Sequence, residues 1–218
     1  MATKNTKAST GSATKVAESG GTAMVVNIPA LTTRKLKLRL RGITPLITHA
    51  WSEKAKKEMR DKQMGVARMK KEPKNPEAEF QGARYLDSKG RDCVKGDGIK
   101  NAIVSAARMV DDLKMTFLRN ALFVEGDLIP IHHDAKKPTM REDMVRVGQG
   151  TADLRYRPEY NNWYVDVVIS FNANALTVGQ VVNLVRMAGF SVGIHEWRPE
   201  RKGNFGRFDV EDMPEAAE

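Results

Sequence analysis

Arg34 to Arg41 is RKLKLRLR, with Leu36, Leu38 and Leu40 at one parity and Lys35, Lys37, Arg39 and Arg41 at the other. Successive side chains of a β-strand point to opposite faces, so the stretch predicts a strand buried on its leucine face and basic on its outer face. Gly42 and Pro45 end it. Ser52 then offers an N-cap for a charged helix from Glu53 to Lys71. That helix has only a thin apolar stripe, Ala55, Met59, Val66 and Met69, which marks it as a surface insertion rather than a core element.

Charge is concentrated in the same region. From Arg34 to Lys71 there are thirteen Lys and Arg against Glu53, Glu58 and Asp61, a net of +10 in a 218-residue chain whose total is +9. Such a concentration points to a polyanionic partner or an anionic surface. Composition is near the globular average, with 41% hydrophobic and 29% charged residues, and no apolar run reaches the length of a membrane span. No membrane partner is expected. Cys93 is the single cysteine and cannot form an intramolecular disulfide, and the N-terminus lacks the apolar segment of a secretory signal. The expected location is a reducing cytoplasm, bacterial or of a phage-infected host.

Outward from the first strand, residues 1–33 are rich in Ala, Thr, Ser, Gly and Lys and are expected to form a disordered basic tail. Residues 212–218 are expected to be a disordered acidic tail. Residues 34–211 form one domain in this reading, with an insertion over about 43–96. Tyr85-Leu86 and Cys93-Val94 flank a turn at Asp87 to Gly90. Asp97 is positioned to cap a core helix through Ile99, Ala102, Ile103, Ala106 and Val110. A short helix over 114–122 and an edge strand over 128–131, interrupted by Pro130, follow. Val145 to Tyr156 is polar and glycine-dotted, which predicts irregular strands or a long loop. Asn161-Asn162 predicts a turn, and Trp163 to Phe171 alternates as a second strand. Thr177 with Gln180 forms a capping box for a helix that buries Val178, Val181, Val182 and Val185 and stops at Gly189. A basic glycine-bearing loop leads to a last strand over 207–210. The strongest elements run strand, helix, strand, strand, helix, strand. This is an α+β class, the ferredoxin-like or RRM-like βαββαβ order, with a helical insertion after the first strand and a glycine-rich loop before the last. In that order both helices cover one sheet face and the basic side of Arg34 to Arg41 lies on the other.

The candidate chemistry is binding. Gly193, Gly203 and Gly206 are interleaved with Arg198, Arg201, Lys202 and Arg207, a combination suited to tracking phosphates, while Trp197 and Phe205 offer rings for bases to stack on. Arg155 and Arg157 beside Tyr156, and Tyr160 through Tyr164, extend the same chemistry, or are ordinary strand residues. Lys54, Lys56 and Lys57 of the insertion add cations. His132, His133 and Asp134 are adjacent on a strand and cannot easily converge on one ion, so no metal site is expected, and no nucleotide-binding or zinc-hydrolase motif is present. No cofactor is expected.

The strand at Leu36 to Leu40, the following GITPLITHA, the helix-rich insertion and AGFSVGIHEWRPERKGNFGRF together resemble the CRISPR-associated RAMP superfamily, most of all its backbone subunits that polymerise along guide RNA. The likeness runs from Arg34 to Val210. It implies a modified RRM fold with Gly193, Gly203 and Gly206 in the family's glycine-rich loop, and as partners RNA, copies of the chain and other effector subunits. His195 stands where a second early glycine is common, and Gly203 and Gly206 are three apart. A stand-alone phage or mobile-element relative fits the same residues. In RAMP-type guide-processing ribonucleases a catalytic histidine can follow the first strand, where His49 stands here; with Lys54 nearby it would serve as general acid or base, or it is a loop histidine beside Trp51.

Four functions fit these residues. The first is non-catalytic binding of single-stranded nucleic acid, RNA foremost, by copies assembling along the strand. The others are a metal-independent endoribonuclease using His49, a phage-type annealing protein for single-stranded DNA, and a virion or scaffold component.

Overall fold

A computed structural model describes residues 28–66, 73–148 and 150–211. The chain divides after Ala30; of the first unit only 28–30 are described, without regular structure, and the second begins at Leu31. The expected tails over 1–27 and 212–218 lie outside the described residues, as does the end of the expected helix at 67–72.

The elements are β1 (Thr33–Gly42), β2 (Leu46–Ile47), α1 (Glu53–Gln63), α2 (Pro76–Gly82), β3 (Cys93–Lys95), α3 (Gly96–Ala106), α4 (Met115–Ala121), β4 (Leu122–Val124), β5 (Leu128–Pro130), β6 (Thr139–Val147), β7 (Thr151–Tyr160), β8 (Tyr164–Asn172), α5 (Val178–Met187) and β9 (Phe208–Glu211). The strands form antiparallel sheets in the orders β4-β8-β1-β9, β2-β7-β6 and β3-β5. This mixed α+β arrangement is consistent with a ferredoxin-like or RRM-like fold.

The alternation of β1 sets the four-stranded sheet. Its register runs from Thr33 opposite Asn172 to Arg41 opposite Tyr164, so the strand starts one residue earlier than expected. Leu38 and Leu40 are buried and Leu36 partly so, against Val165, Val167, Ile169 and Phe171 of β8. Ile99, Ala102, Ile103 and Ala106 of α3 and Val181, Leu184 and Val185 of α5 complete that core. Each Val, Leu, Ile or Phe side chain among these contributes roughly 1.5–3 kcal/mol on full burial. Trp163, just before β8, is also fully buried, and its Nε1 donates to the Thr44 carbonyl at 2.8 Å.

Several expectations change. Ser52 does cap α1, accepting from the Ala55 amide, but the described helix ends at Gln63 and has no buried residue. Asp97 does not cap α3. Here β3 runs directly into the helix: Lys95 takes the cap position without a side-chain bond, the Gly96 amide donates to the Asp127 carbonyl, and Asp97 falls in the first turn. Val110 lies beyond the helix and is exposed. The Thr177–Gln180 capping box forms, but the chain does not stop at Gly189. It continues as a π-helical turn, Ala188–Val192, in which Gly189 lies so close to the Phe208 carbonyl that no Cβ fits, and Val178 and Val182 are only partly buried while Leu184 is buried.

The largest correction is Val145 to Tyr156. These residues belong to the long β6–β7 hairpin, in register from Thr139–Glu159 to Val147–Thr151. Its polar inner residues form ion pairs rather than apolar packing, which period-two hydrophobicity does not detect, and the Asp143 Oδ2 and Arg157 Nε atoms are buried without a hydrogen bond. Arg141 pairs with Asp143 and Glu159, both at 2.7 Å, while Arg157 lies 3.9 Å from Asp143 and 3.4 Å from Glu196.

Candidate nucleic-acid interface

Two groups of candidate residues are assembled by different elements. The first is the outer face of the four-stranded sheet. Lys35, Lys37, Arg39 and Arg41 stand in one row along β1, opposite the helices, with Tyr164, Asp166, Val168 and Ser170 beside them on β8.

The row is basic but largely neutralised. Lys35 pairs with Glu125 at 2.7 Å, Arg39 grips Asp166 through two bonds of 2.7 and 3.0 Å, and Arg41 meets Glu211 at 3.0 Å. The Arg39 hydrogen bonds hold the Asp166 carboxyl below the usual range, and Lys35 does the same for Glu125. Lys37 stands opposite Val168 and makes no ion pair among the described residues. The Arg39 and Arg41 guanidinium groups lie 4.2 and 4.8 Å from the Tyr164 ring centre, and the His132 ring stacks on Tyr164 at 4.6 Å and 10°. Phe123 of β4 is exposed at the sheet edge, with the Lys100 ammonium 4.0 Å from its ring. Asp166, Phe123 and Lys100 are not among the sequence candidates, and His132 is weighed there only as a metal ligand. Their role comes from neighbours far away in the chain, for which no local signal exists.

The second group is the glycine-rich loop. It is folded on itself, on the β1–β2 connection and on β2: the Ile194 amide donates to the Gly206 carbonyl, the Phe205 amide to Trp197, the Gly206 amide to Pro45 of the connection and the Glu196 amide to Ile47 of β2. Gly193 and Gly206 have φ of +68° and +64°, which favour glycine. A Cβ on Gly203 would overlap the Trp197 carbonyl, and one on Gly206 the Ile194 carbonyl. These glycines therefore let the loop pack against itself; the close approach is to the chain's own backbone.

The aromatic candidates are occupied too. Trp197 and Phe205 lie 5.9 Å apart, with the Arg141 guanidinium 5.4 and 4.9 Å from their centres and Arg157 5.0 Å from Trp197. Arg157, expected on the surface, is 2% exposed, and desolvation lowers its pKa against the opposing pull of Glu196 and Asp143. It is a buried cation held between Asp143, Glu196 and the Trp197 ring. Arg155 pairs with Asp153 at 2.9 Å. Arg198 pairs with Glu200 at 2.9 Å and donates to the His195 carbonyl, and Arg207 lies 5.0 Å from the Phe190 ring. Arg201 and Lys202 are exposed. On α1, Lys54, Lys56 and Lys57 are exposed, Lys56 bonded to Glu53 at 2.6 Å.

Tyr85 links the two histidines. Its hydroxyl donates to the His49 carbonyl at 3.3 Å, and its ring lies 5.6 Å from His195. Burial, with Arg157 and Arg155 opposing Glu196, lowers the His49 pKa. Burial and Arg198 bring His195 down to about 4, and its Nε2 is sealed without a partner. Both imidazoles are pushed toward the neutral form, which disfavours an imidazolium general acid, and the sealed Nε2 of His195 is closed to a substrate.

Beside this loop a cleft of about 290 Å³ opens at the start of α3, with Lys95, Asn101 and Arg198 on its wall. Gly98 has open space where a side chain would be. Gly98→Ala is therefore expected to raise stability by about 0.5 kcal/mol, read as a small rise in melting temperature. A fall would show that the first turn of α3 needs the glycine.

His132 and His133 turn to different rings, Tyr164 and Tyr160. Among the described residues no group of three metal-ligating side chains converges, and no helix is long and apolar enough to cross a membrane.

No family model matches the chain. No curated protein matches it either. Among solved structures it is similar to Cmr6 from Pyrococcus furiosus, at 10% identity and a TM-score of 0.44, over 84% of this chain and 100% of that one. A likeness at this level carries no functional inference.

Proposed function

We propose that this protein binds single-stranded nucleic acid, RNA in the first instance, on the open face of its four-stranded sheet, without catalysing a reaction, and that copies assemble along the strand. The fold underlying this reading is RRM-like: β1, α3, β4, β8, α5 and β9 follow in chain order, and the sheet order β4-β8-β1-β9 corresponds to that of a βαββαβ domain. One observation carries the reading. Four cations stand in a row on a sheet face that the core helices leave uncovered, beside the rings of Tyr164 and Phe123. A single strand needs this combination, cations along its backbone and flat groups for its bases. The resemblance to RAMP backbone subunits points to the same chemistry.

The ion pairs on this face dictate which substitutions matter. Lys37 has no carboxylate to leave among the described residues, so Lys37→Ala is expected to weaken binding several-fold and to reduce the salt slope by about 0.7. Asp166→Asn removes a carboxylate from the face and frees Arg39, so affinity is expected to rise several-fold. Fluorescence anisotropy on labelled single-stranded RNA and DNA of one sequence, titrated with salt, measures both. Binding that ignores salt, or both substitutions, would remove the sheet face from the function. A preference for DNA with faster strand annealing would replace RNA by the annealing reading. RNA cleavage that survives EDTA and disappears in His49→Ala would replace binding by a nuclease.

A further inference from the structure

The β6 strand is the outer strand of the β2-β7-β6 sheet. Nine residues long, it is paired to β7 along one side and, among the described residues, to nothing along the other. Natural edge strands are usually blunted by shortness, a bulge, a proline or charged side chains, because a free row of amides and carbonyls recruits another strand. Here the register is continuous and TMREDMVRV contains neither Pro nor Lys, but Arg141, Glu142, Asp143 and Arg146 are charged, so the edge admits only a strand whose charges match them. Its outer face instead presents Met140 and Met144, 46% and 68% exposed, with Leu154 exposed opposite Met144.

The charges that remain on this face have an order. Glu142 and Arg146 flank Met144 at two residues on either side. Arg146 makes no ion pair among the described residues, and Glu142 interacts with the Tyr156 hydroxyl on its β7 side. When two copies of one strand pair antiparallel about a two-fold axis normal to the sheet, each residue meets its own symmetry mate or one an even number of positions away. An axis at Glu142, Asp143 or Arg146 sets that residue against the same charge. An axis at Val145 sets Met144 against Arg146. An axis at Met144 sets Met144 against Met144, and Glu142 against Arg146 twice, with no like charges directly opposed.

We infer that β6 is a self-pairing edge, at which two copies of the chain join antiparallel about Met144 into a two-fold dimer with one sheet running through both. The partner is a second copy because the charge pattern is complementary to itself in this one register. The interface uses a different sheet from the one assigned to nucleic acid and does not depend on that assignment.

The test is sedimentation equilibrium on nuclease-treated protein, since bound nucleic acid would also hold copies together. A reversible dimer with a micromolar dissociation constant is expected. Glu142→Arg and Arg146→Glu each place like charges opposite one another at both ends of the pairing and are expected to weaken the dimer about tenfold. The double variant Glu142→Arg/Arg146→Glu restores opposite charges and is expected to return near the wild-type constant. RNA affinity of the single variants, measured below the dissociation constant of the dimer, is expected to be unchanged, and their melting temperatures establish that they fold. Protein that stays monomeric at the highest attainable concentration, single variants that dimerise as tightly as wild type, or a double variant that fails to recover would each overturn the proposal.

Discussion

Replacing Gly203 by alanine is expected to lower the melting temperature by about 6 to 12 °C, from a destabilisation of about 3 kcal/mol. The cause is steric. Gly203 has an ordinary φ, so left-handed strain plays no part, but its Cβ would occupy the space of the Trp197 carbonyl, which already accepts the Phe205 amide at 3.0 Å. That carbonyl cannot retreat without breaking the bond. The loop is also tied to the β1–β2 connection through Gly206 to Pro45 and to β2 through Glu196 to Ile47, so displacement at Gly203 is passed to these anchor points. Gly90→Ala is the control, because its surroundings are empty even though its φ is +75°. It is expected to cost about 1 kcal/mol. Thermal unfolding of the two variants checks the contrast, and equal shifts would show that the Gly203 clash relaxes freely.

The second large effect is in acid. His195 falls to about 4 in the folded protein because burial and Arg198 disfavour its imidazolium. Above about pH 6.5 the imidazole is neutral in both states and contributes nothing to pH dependence. As the pH falls below that value the unfolded chain binds the proton first, and stability drops until the folded chain also binds it near pH 4. The loss amounts to about 3 kcal/mol over that window. Asparagine tolerates the positive φ of 62° at this position, so His195→Asn keeps the backbone while removing the titration. Urea unfolding at both ends of the window is expected to show wild type losing about 3 kcal/mol more than the variant. His49 and the carboxylates titrate in both proteins and cancel in the comparison. Equal losses would mean that the folded chain admits the proton at its ordinary pKa.

Gly203 belongs to a loop that composition assigns to ligand binding, and in the fold its missing side chain makes room for a contact within the loop itself. Glycine among arginines is a fair sign of a phosphate loop, yet close approach to a phosphate and close approach to the chain's own carbonyl demand the same residue. Nothing local in GIHEWRPERKGNFG separates the two. Arg157 shows the same ambiguity for charge. A lone arginine on a strand is usually solvated, and only the arrival of Asp143 from β6 and Glu196 from the loop permits its burial. In β6 and β7 the inward residues are charged and paired, so the hairpin carries no hydrophobic alternation by which to recognise it.

The sequence by itself determined the elements whose information is periodic or local. RKLKLRLR makes β1 and orients its leucines inward, the spacing of Ile99, Ala102, Ile103 and Ala106 makes the buried face of α3, Thr177 and Gln180 start α5, and Ser52 starts α1. Each follows from repeats of 2.0 or 3.6 residues or from a bond spanning three positions, which the chain specifies without distant partners. Tertiary structure alone decided the charge of the open sheet face. Asp166 stands 127 positions after Arg39, and Glu211 stands 170 after Arg41. Strand pairing brings those carboxylates onto the basic row, because ion pairs are set by proximity in space, which distance along the chain does not encode.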